Sequence, residues 1–270
     1  MIRFSKYMWL YALISGLVLV PGIYSLIRFG LNQSIDFTGG TLLEVSLDKP
    51  VDENLLRQAV KTSSNTYLFH MKPGESEKGA SAATILRSET VGPVLGRELL
   101  VKAVVAAFLA ILCIFAYVAY AFKDIKFGIS AIVALIHDLL VVLGVFSLLG
   151  VVWGVEVDTL FITAFLTTMS FSVHDTIVVF DRIREYRRRD EKTPFNEIAD
   201  RALTETMGRS LTNSFTIVFM LLALILMGGE STKWFVVALL TGTISGTYSS
   251  LFVATPILLL WDFWEKRKSR

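Results

Sequence analysis

The sequence predicts a polytopic α-helical membrane protein: six transmembrane helices, with one small α+β domain of β-α-β-β order between the first and the second. Three observations carry that expectation. Of 270 residues, 53% are hydrophobic and 19% charged, where a water-soluble chain has about a quarter charged. The apolar residues gather in runs of about 20, the length that crosses ~30 Å of hydrocarbon. The long polar interval, residues 30–98, carries strand and helix patterns of its own.

The apolar spans fall at residues 8–29, 99–122, 127–150, 159–180, 210–228 and 234–261. Residues 1–29 read as a short N-terminus and an uncleaved first span. Its apolar part exceeds the roughly 7–15 residues of a signal peptide, and no A-x-A pattern follows. Lys and Arg in short loops set orientation. They occur at Arg3 and Lys6, at Lys123 and Lys126, throughout the loop 181–208, and in the basic tail 262–270, whereas residues 151–157 have none. Both termini are therefore expected on the cytoplasmic side, with residues 30–98 on the other.

Within that external segment, residues 41–47 (TLLEVSL) alternate as a strand does, and residues 52–62 (DENLLRQAVKT) combine an acidic first turn with helical apolar spacing. Residues 67–71 and 83–86 read as two further short strands, separated by a turn or loop at 72–81 (KPGESEKGAS). A core of this size is near the lower limit for stability, so the domain is expected to lean on a partner. On the cytoplasmic side, Thr193-Pro194 opens a short amphipathic helix whose apolar face is Phe195, Ile198, Ala199, Ala202 and Leu203. It is expected to lie against the membrane face. In the last span Gly242 and Gly246, four apart among Thr and Ser, form a small-residue stripe that permits close helix packing.

Several chemistries are excluded. The single cysteine, Cys113, can form no intramolecular disulfide. There is no G-x-x-x-x-G-K-[ST] phosphate loop, and His174 lacks a second His or a thiol at metal-ligand spacing. Neither an enzyme, a cofactor, a metal nor a nucleic-acid partner is expected, and energy must come from an ion gradient or a partner.

Ionisable residues inside spans cost at least ~2.5–3.5 kcal/mol each and face the protein interior or a water path. The third span carries His137-Asp138, about 15 Å from its cytoplasmic end at 1.5 Å per residue. The fourth carries His174-Asp175, and Arg209 stands at the start of the fifth. Asp175 and Arg209 fall at compatible depths on adjacent helices. A guanidinium holds a carboxylate ionised while burial favours the neutral acid, and a site balanced between the two can take up and release a proton. Ser172 and Thr168 share the Asp175 face and can line a water wire, whereas His174 points about 100° away. The alternatives are a static Asp175–Arg209 ion pair, an Arg209 that snorkels to headgroups, and a His137-Asp138 pair that only satisfies packing. Arg187–Arg189 are expected to set topology and touch anionic lipid.

Residues 34–40 (SIDFTGG), 91–99 (VGPVLGREL), 133–138 (VALIHD), 173–185 (VHDTIVVFDRIRE) and 208–216 (GRSLTNSFT) together give the chain a recognisable pattern. In that order, and over essentially its whole length, it resembles the bacterial SecF proteins of the SecD/SecF protein-export family. The resemblance implies half of a resistance–nodulation–division transporter in the bacterial inner membrane, with a periplasmic domain after the first span. It implies a SecD partner, work alongside the SecYEG translocon and SecA on an unfolded preprotein, an association with YajC and YidC, and coupling to H⁺ flow. It assigns proton transport to Asp175 and Arg209; the residues themselves add His174, His137, Asp138, Ser172 and Thr168 as auxiliary candidates. Asp36, Thr38, Gly39 and Gly40 become the motif where the first span hinges on the external domain. Two departures stand out: Ser170-Phe171-Ser172 replaces the usual Gly-Tyr-Ser, and His174 an Asn. The competing readings are a passive scaffold for SecD and the translocon, and a small-molecule or lipid exporter of the same superfamily.

Overall fold

The computed structural model describes residues 4–47, 83–190 and 192–268. A 3-10 turn, Phe4–Tyr7, leads into α1 (Met8–Phe29). After it come a one-turn helix α2 (Ile35–Thr38) and two strands, β1 (Gly40–Leu47) and β2 (Ala83–Val91). Then follow α3 (Pro93–Phe122), α4 (Ile125–Trp153), α5 (Thr159–Arg189), α6 (Phe195–Met227), α7 (Glu230–Ser249) and α8 (Thr255–Lys268), with a π-helical segment, Ser250–Ala254, between the last two. Among the described residues six helical stretches are long and apolar enough to cross a membrane: Phe4–Phe29, Val94–Phe122, Ile125–Trp153, Thr159–Arg189, Phe195–Met227 and Glu230–Arg267. The chain is a multi-pass membrane protein.

It divides into two compact units, one of residues 35–98 and one holding the rest of the chain. In the smaller, β1 and β2 pair antiparallel from Gly40↔Val91 to Leu47↔Ala83, with an irregularity at Glu44/Val45. β2 is longer than the expected 83–86 because it pairs along the whole of β1. The helix expected at 52–62, the strand at 67–71 and the loop at 72–81 lie outside the described residues. Gly39 and Gly40, with φ of 72° and 138°, turn the chain from α2 into β1 through backbone that side chains resist. Gly96, in the first turns of α3, packs directly on the Asp36 and Phe37 carbonyls of α2: a Cβ there would sit 2.7 and 2.8 Å from their oxygens.

In the larger unit, carboxylates start two of the helices. Asp124 accepts from Lys126 N (3.1 Å) and Asp158 from Phe161 N (2.7 Å), satisfying amides that a helix N-terminus leaves free. Gly154, in the left-handed region at φ 66°, ends α4. The helices run beyond the apolar spans. In particular, no separate amphipathic helix precedes the fifth span, because α6 is continuous from Phe195. The lone Gly208 weakens a helix interior by only about 0.5–1 kcal/mol relative to Ala. The predicted apolar face of Phe195, Ile198, Ala199, Ala202 and Leu203 is buried in the protein core beside Phe180 and Ile183, and does not lie free against a membrane surface.

The small-residue stripe packs as expected. A Cβ on Gly242 would come within 2.2 Å of Thr168 Cγ2, and one on Gly246 within 3.2 Å of Ser172, so α7 lies hard against α5. Gly22 and Gly144 bring α1 and α4 equally close, at 3.0 Å for a Cβ on Gly22. The π segment sits just before Pro256, which cannot donate to the carbonyl four residues back. Widening that turn accommodates the missing bond; Ser249 precedes the segment and Ser250 opens it.

Candidate functional site

Five serine hydroxyls, from α5, α6, α7 and the π segment, converge on two buried carboxylates. Asp175 on α5 is 5% exposed. Its Oδ2 accepts from Ser210 Oγ of α6 and from Ser250 Oγ of the π segment, both at 2.6 Å. Asp138 on α4 is 3% exposed. Its Oδ2 accepts from Ser172 Oγ of α5 and Ser249 Oγ of α7, and its Oδ1 from Ser245 Oγ of α7, all at 2.6 Å. His137 Nδ1 lies 3.1 Å from the same Oδ1.

The helical geometry explains which residues meet. Asp175 and Ser172 are three apart on α5, so they share a face one turn apart and reach different carboxylate sites. Ser245 and Ser249 are four apart on α7 and act on one carboxylate. Ser250, one residue on, is turned to the other.

Arg209 is not the partner of Asp175 in this chain. Its side chain is exposed, and among the described residues no ion pair joins it to Asp175. Successive helical residues point about 100° apart, so the position that reaches Asp175 is the next one, Ser210. His174 is also exposed, turned away from Asp175 as expected. Thr168 is buried and donates to the Phe165 carbonyl at 2.9 Å while it packs on Gly242. Ser172 serves Asp138. Asp36, Thr38, Gly39 and Gly40 belong to the other unit and form the α2–β1 turn.

The exposed polar residues are themselves ordered. On α5, Thr163, Thr167, Ser170 and His174 repeat every three or four residues. On α6, Arg209, Thr212, Asn213 and Thr216 fall on one face, at separations of three and four from Arg209 and again to Thr216, and all are exposed. Thr163, Thr167, Thr212 and Thr216 donate to carbonyls four residues back in their own helices, whereas ionisable side chains on membrane helices, here His174 and Arg209, normally face protein or water.

Beyond the apolar spans, basic residues of α5 are engaged with the protein. Arg182 donates to Glu185 and Glu205, Tyr186 Oη donates to Glu205 at 2.6 Å, and Arg189 donates to Glu185 at 2.5 Å. Arg187 stacks over the Phe195 ring at 5.1 Å.

Ser210, Ser245, Ser249 and Ser250 were not singled out by sequence reasoning. The signal available was the run of hydroxyls in SGTYSS at 245–250, which read only as close packing.

Residues 73–264 match the family described as protein export membrane protein SecD/SecF, C-terminal. Residues 24–51 match the SecD/SecF GG motif, the turn built by Gly39 and Gly40. The chain belongs to the SecD/SecF family. It is 39% identical to the protein translocase subunit SecF of Thermobaculum terrenum, covering 97% of this chain and 94% of that one. It is 33% identical to SecF of Vibrio alginolyticus, over 95% and 88%. The crystal structure of SecDF, a translocon-associated membrane protein from Thermus thermophilus, superposes with a TM-score of 0.78 at 28% identity. That match covers 97% of this chain but only 39% of the SecDF chain.

Proposed function

We propose that the chain is a SecF-type subunit that acts with SecD to drive late, proton-motive-force-dependent translocation of preproteins through SecYEG, with SecA on the cytoplasmic side. Its place is the bacterial inner membrane, with both termini cytoplasmic, and YajC and YidC are candidate associates. Support for a SecD partner comes from Thermus thermophilus SecDF, in which a matching segment is part of one longer chain. The exposed polar stripes containing His174 and Arg209 agree with such a partner.

The observation that carries the proton reading is the surroundings of Asp175. It is a buried carboxylate held by hydroxyls alone among the described residues. A hydroxyl can donate to a carboxylate or accept from a carboxylic acid, so both protonation states find partners in one frame. Arg209, the residue before Ser210, stands at the edge of that frame, where a partner carboxylate can reach it. Each proton moving down 100 mV supplies ~2.3 kcal/mol, enough to bias two conformations. The turn through Asp36, Thr38, Gly39 and Gly40 is where such a bias would reach the external domain.

The test is export of a secretory precursor into inverted vesicles holding this chain, SecD, SecYEG and SecA. Wild type and Asp175→Asn are compared with and without an imposed proton gradient, at equal complex assembly. Loss of the gradient-stimulated part is expected. Unchanged stimulation would leave the chain a scaffold.

A further inference from the structure

The His137-Asp138 site is built as fully as the one at Asp175, and the proton reading above does not use it. Three of its hydroxyl donors are at least nine-tenths buried, as is His137 itself. With Nδ1 turned to Asp138, the free ring nitrogen is Nε2. It is buried, with no hydrogen-bond partner among the described residues. The same histidine lines a cavity of about 350 Å³ between α1, α4 and α7, together with Ser15, Thr241, Ser245 and Tyr248.

Two further contacts make the site switchable. Ser249 Oγ lies 2.6 Å from Asp138 Oδ2 and 3.3 Å from the Gly246 carbonyl. Ser250 Oγ lies 2.6 Å from Asp175 Oδ2 and 3.1 Å from the Thr247 carbonyl. Each hydroxyl has one proton to donate. When its carboxylate is ionised it donates there. When the carboxylate takes a proton, the hydroxyl can turn to the backbone and leave no buried donor unsatisfied. The two switches sit on consecutive residues of one backbone, at the start of the π segment.

We propose that His137-Asp138 is a second proton-binding site of this chain, coupled to Asp175 through the Ser249-Ser250 step. A proton arriving at His137 Nε2 releases the one on Nδ1 to Asp138 Oδ1. The products are a neutral imidazole and a carboxylic acid, and Ser249 then swings from Asp138 towards the Gly246 carbonyl. Because Ser250 is the next residue, the same small rotation of the π turn alters the hydrogen bond that holds Asp175.

The titratable groups facing this site come from several elements. Tyr248 of α7 has its ring 6.1 Å from that of His137, and Asp175 of α5 lies one turn beyond Ser172. Ser15 is the polar contribution of α1 to the cavity. α8 brings Glu265 to Lys126, at 2.7 Å, near the far end of α4. That pair is about 16 Å along the helix from His137.

The inference rests on the proton reading of Asp175 for its meaning, but its test is separate. Infrared difference spectra of the reconstituted chain with SecD are recorded as pH is stepped, following the carbonyl stretch of protonated carboxyls. Asp138→Asn is expected to remove one titrating band from the wild-type spectrum and Asp175→Asn a different one. In Ser249→Ala both midpoints should move. An Asp138→Asn spectrum identical to wild type overturns the proposal, whatever Asp175 does in export. Should that variant fail to assemble, His137→Phe keeps the carboxyl and removes its nitrogen partner. The midpoint of its Asp138 band should then move, and an unshifted band overturns the proposal equally.

Discussion

Gly242 leaves no room for a side chain against Thr168: a Cβ placed on it would stand 2.2 Å from Thr168 Cγ2 and 2.6 Å from Thr168 Cβ. This contact sets the α5–α7 spacing, and with it the distance over which Ser245, Ser249 and Ser250 reach the carboxylates. Overpacking a core costs about 1–3 kcal/mol where the surroundings can shift. Here the obstacle is a β-branched side chain with restricted rotamers. Gly242→Val is therefore expected to lower the midpoint of thermal unfolding in detergent by several degrees and to reduce assembled complex in membranes. Gly16→Ala, on an α1 position with nothing within 4 Å, should match or slightly exceed wild type. Equal midpoints for the two variants would mean that α5 and α7 are not held at this distance.

The hydroxyls around Asp175 can be weighed by a double-mutant cycle. Hydrogen bonds to ionised groups contribute about 1.5–3 kcal/mol, roughly twice a neutral bond. Ser250→Ala should destabilise the wild-type chain measurably, yet do little in an Asp175→Ala background, where its partner is gone. The coupling energy read from denaturant unfolding is expected to exceed about 1 kcal/mol. Ser210→Ala should behave in the same way. Arg209→Ala should show no coupling to Asp175 in the isolated chain, because that side chain faces outward. Strong coupling to Arg209 would reverse the assignment.

The smaller unit depends on two kinds of glycine. Gly40 is needed for its backbone, at φ 138°, and Gly96 for its lack of a Cβ against the Asp36 and Phe37 carbonyls. Gly40→Ala forces a side chain into a region open essentially only to glycine, at a cost of about 1–3 kcal/mol. Gly96→Ala drives a methyl group onto two carbonyl oxygens that cannot swing aside as a side chain can. Both are expected to increase proteolysis between the first two spans while α4–α8 keep their helical circular dichroism. If both variants resist protease like wild type, the α2–β1 turn is not what anchors this unit.

How much of this was legible beforehand depends on what each feature requires. Asp175, Asp138 and His137 stood out because a titratable group amid apolar residues is conspicuous in one dimension. The Gly242–Gly246 stripe was readable because a four-residue spacing fixes a helix face whatever the neighbour. Arg209 was matched to Asp175 by depth and charge, but depth says nothing of rotation, and one residue of rotation exchanged it for Ser210. The serines were missed for a related reason. A hydroxyl in a helix usually bonds back to its own chain, as Thr176 does to Ser172, so its sequence gives no hint of a distant acceptor. Ser249 and Ser250 part to different carboxylates because successive helical residues point about 100° apart. The helix from Phe195 was legible from its apolar face, but its continuity into the fifth span was hidden by the mostly polar stretch 204–209, which includes Gly208, between the two.

The N-terminus is fastened by one carboxylate, and this can be measured directly. Ser5 N and Ser5 Oγ donate to Asp200 Oδ1 and Oδ2 at 2.8 and 2.9 Å, joining the 3-10 turn to α6 across 195 residues of sequence. Asp200 is 3% exposed and Phe4 beside it 6%, so the 3-10 turn is both clamped and packed. Asp200→Ala removes both acceptors and leaves the Ser5 amide without a partner. Hydrogen–deuterium exchange of residues 4–7 should then speed at least tenfold, the ~1.4 kcal/mol equivalent of a bond to a charged group. Residues on α4 should exchange as before. Asp200→Asn retains one acceptor oxygen and should fall between the two. If exchange at residues 4–7 is the same in all three proteins, the turn is held by the packing of Phe4 against Phe252, whose rings lie 6.0 Å apart, and the Asp200 clamp contributes nothing of its own.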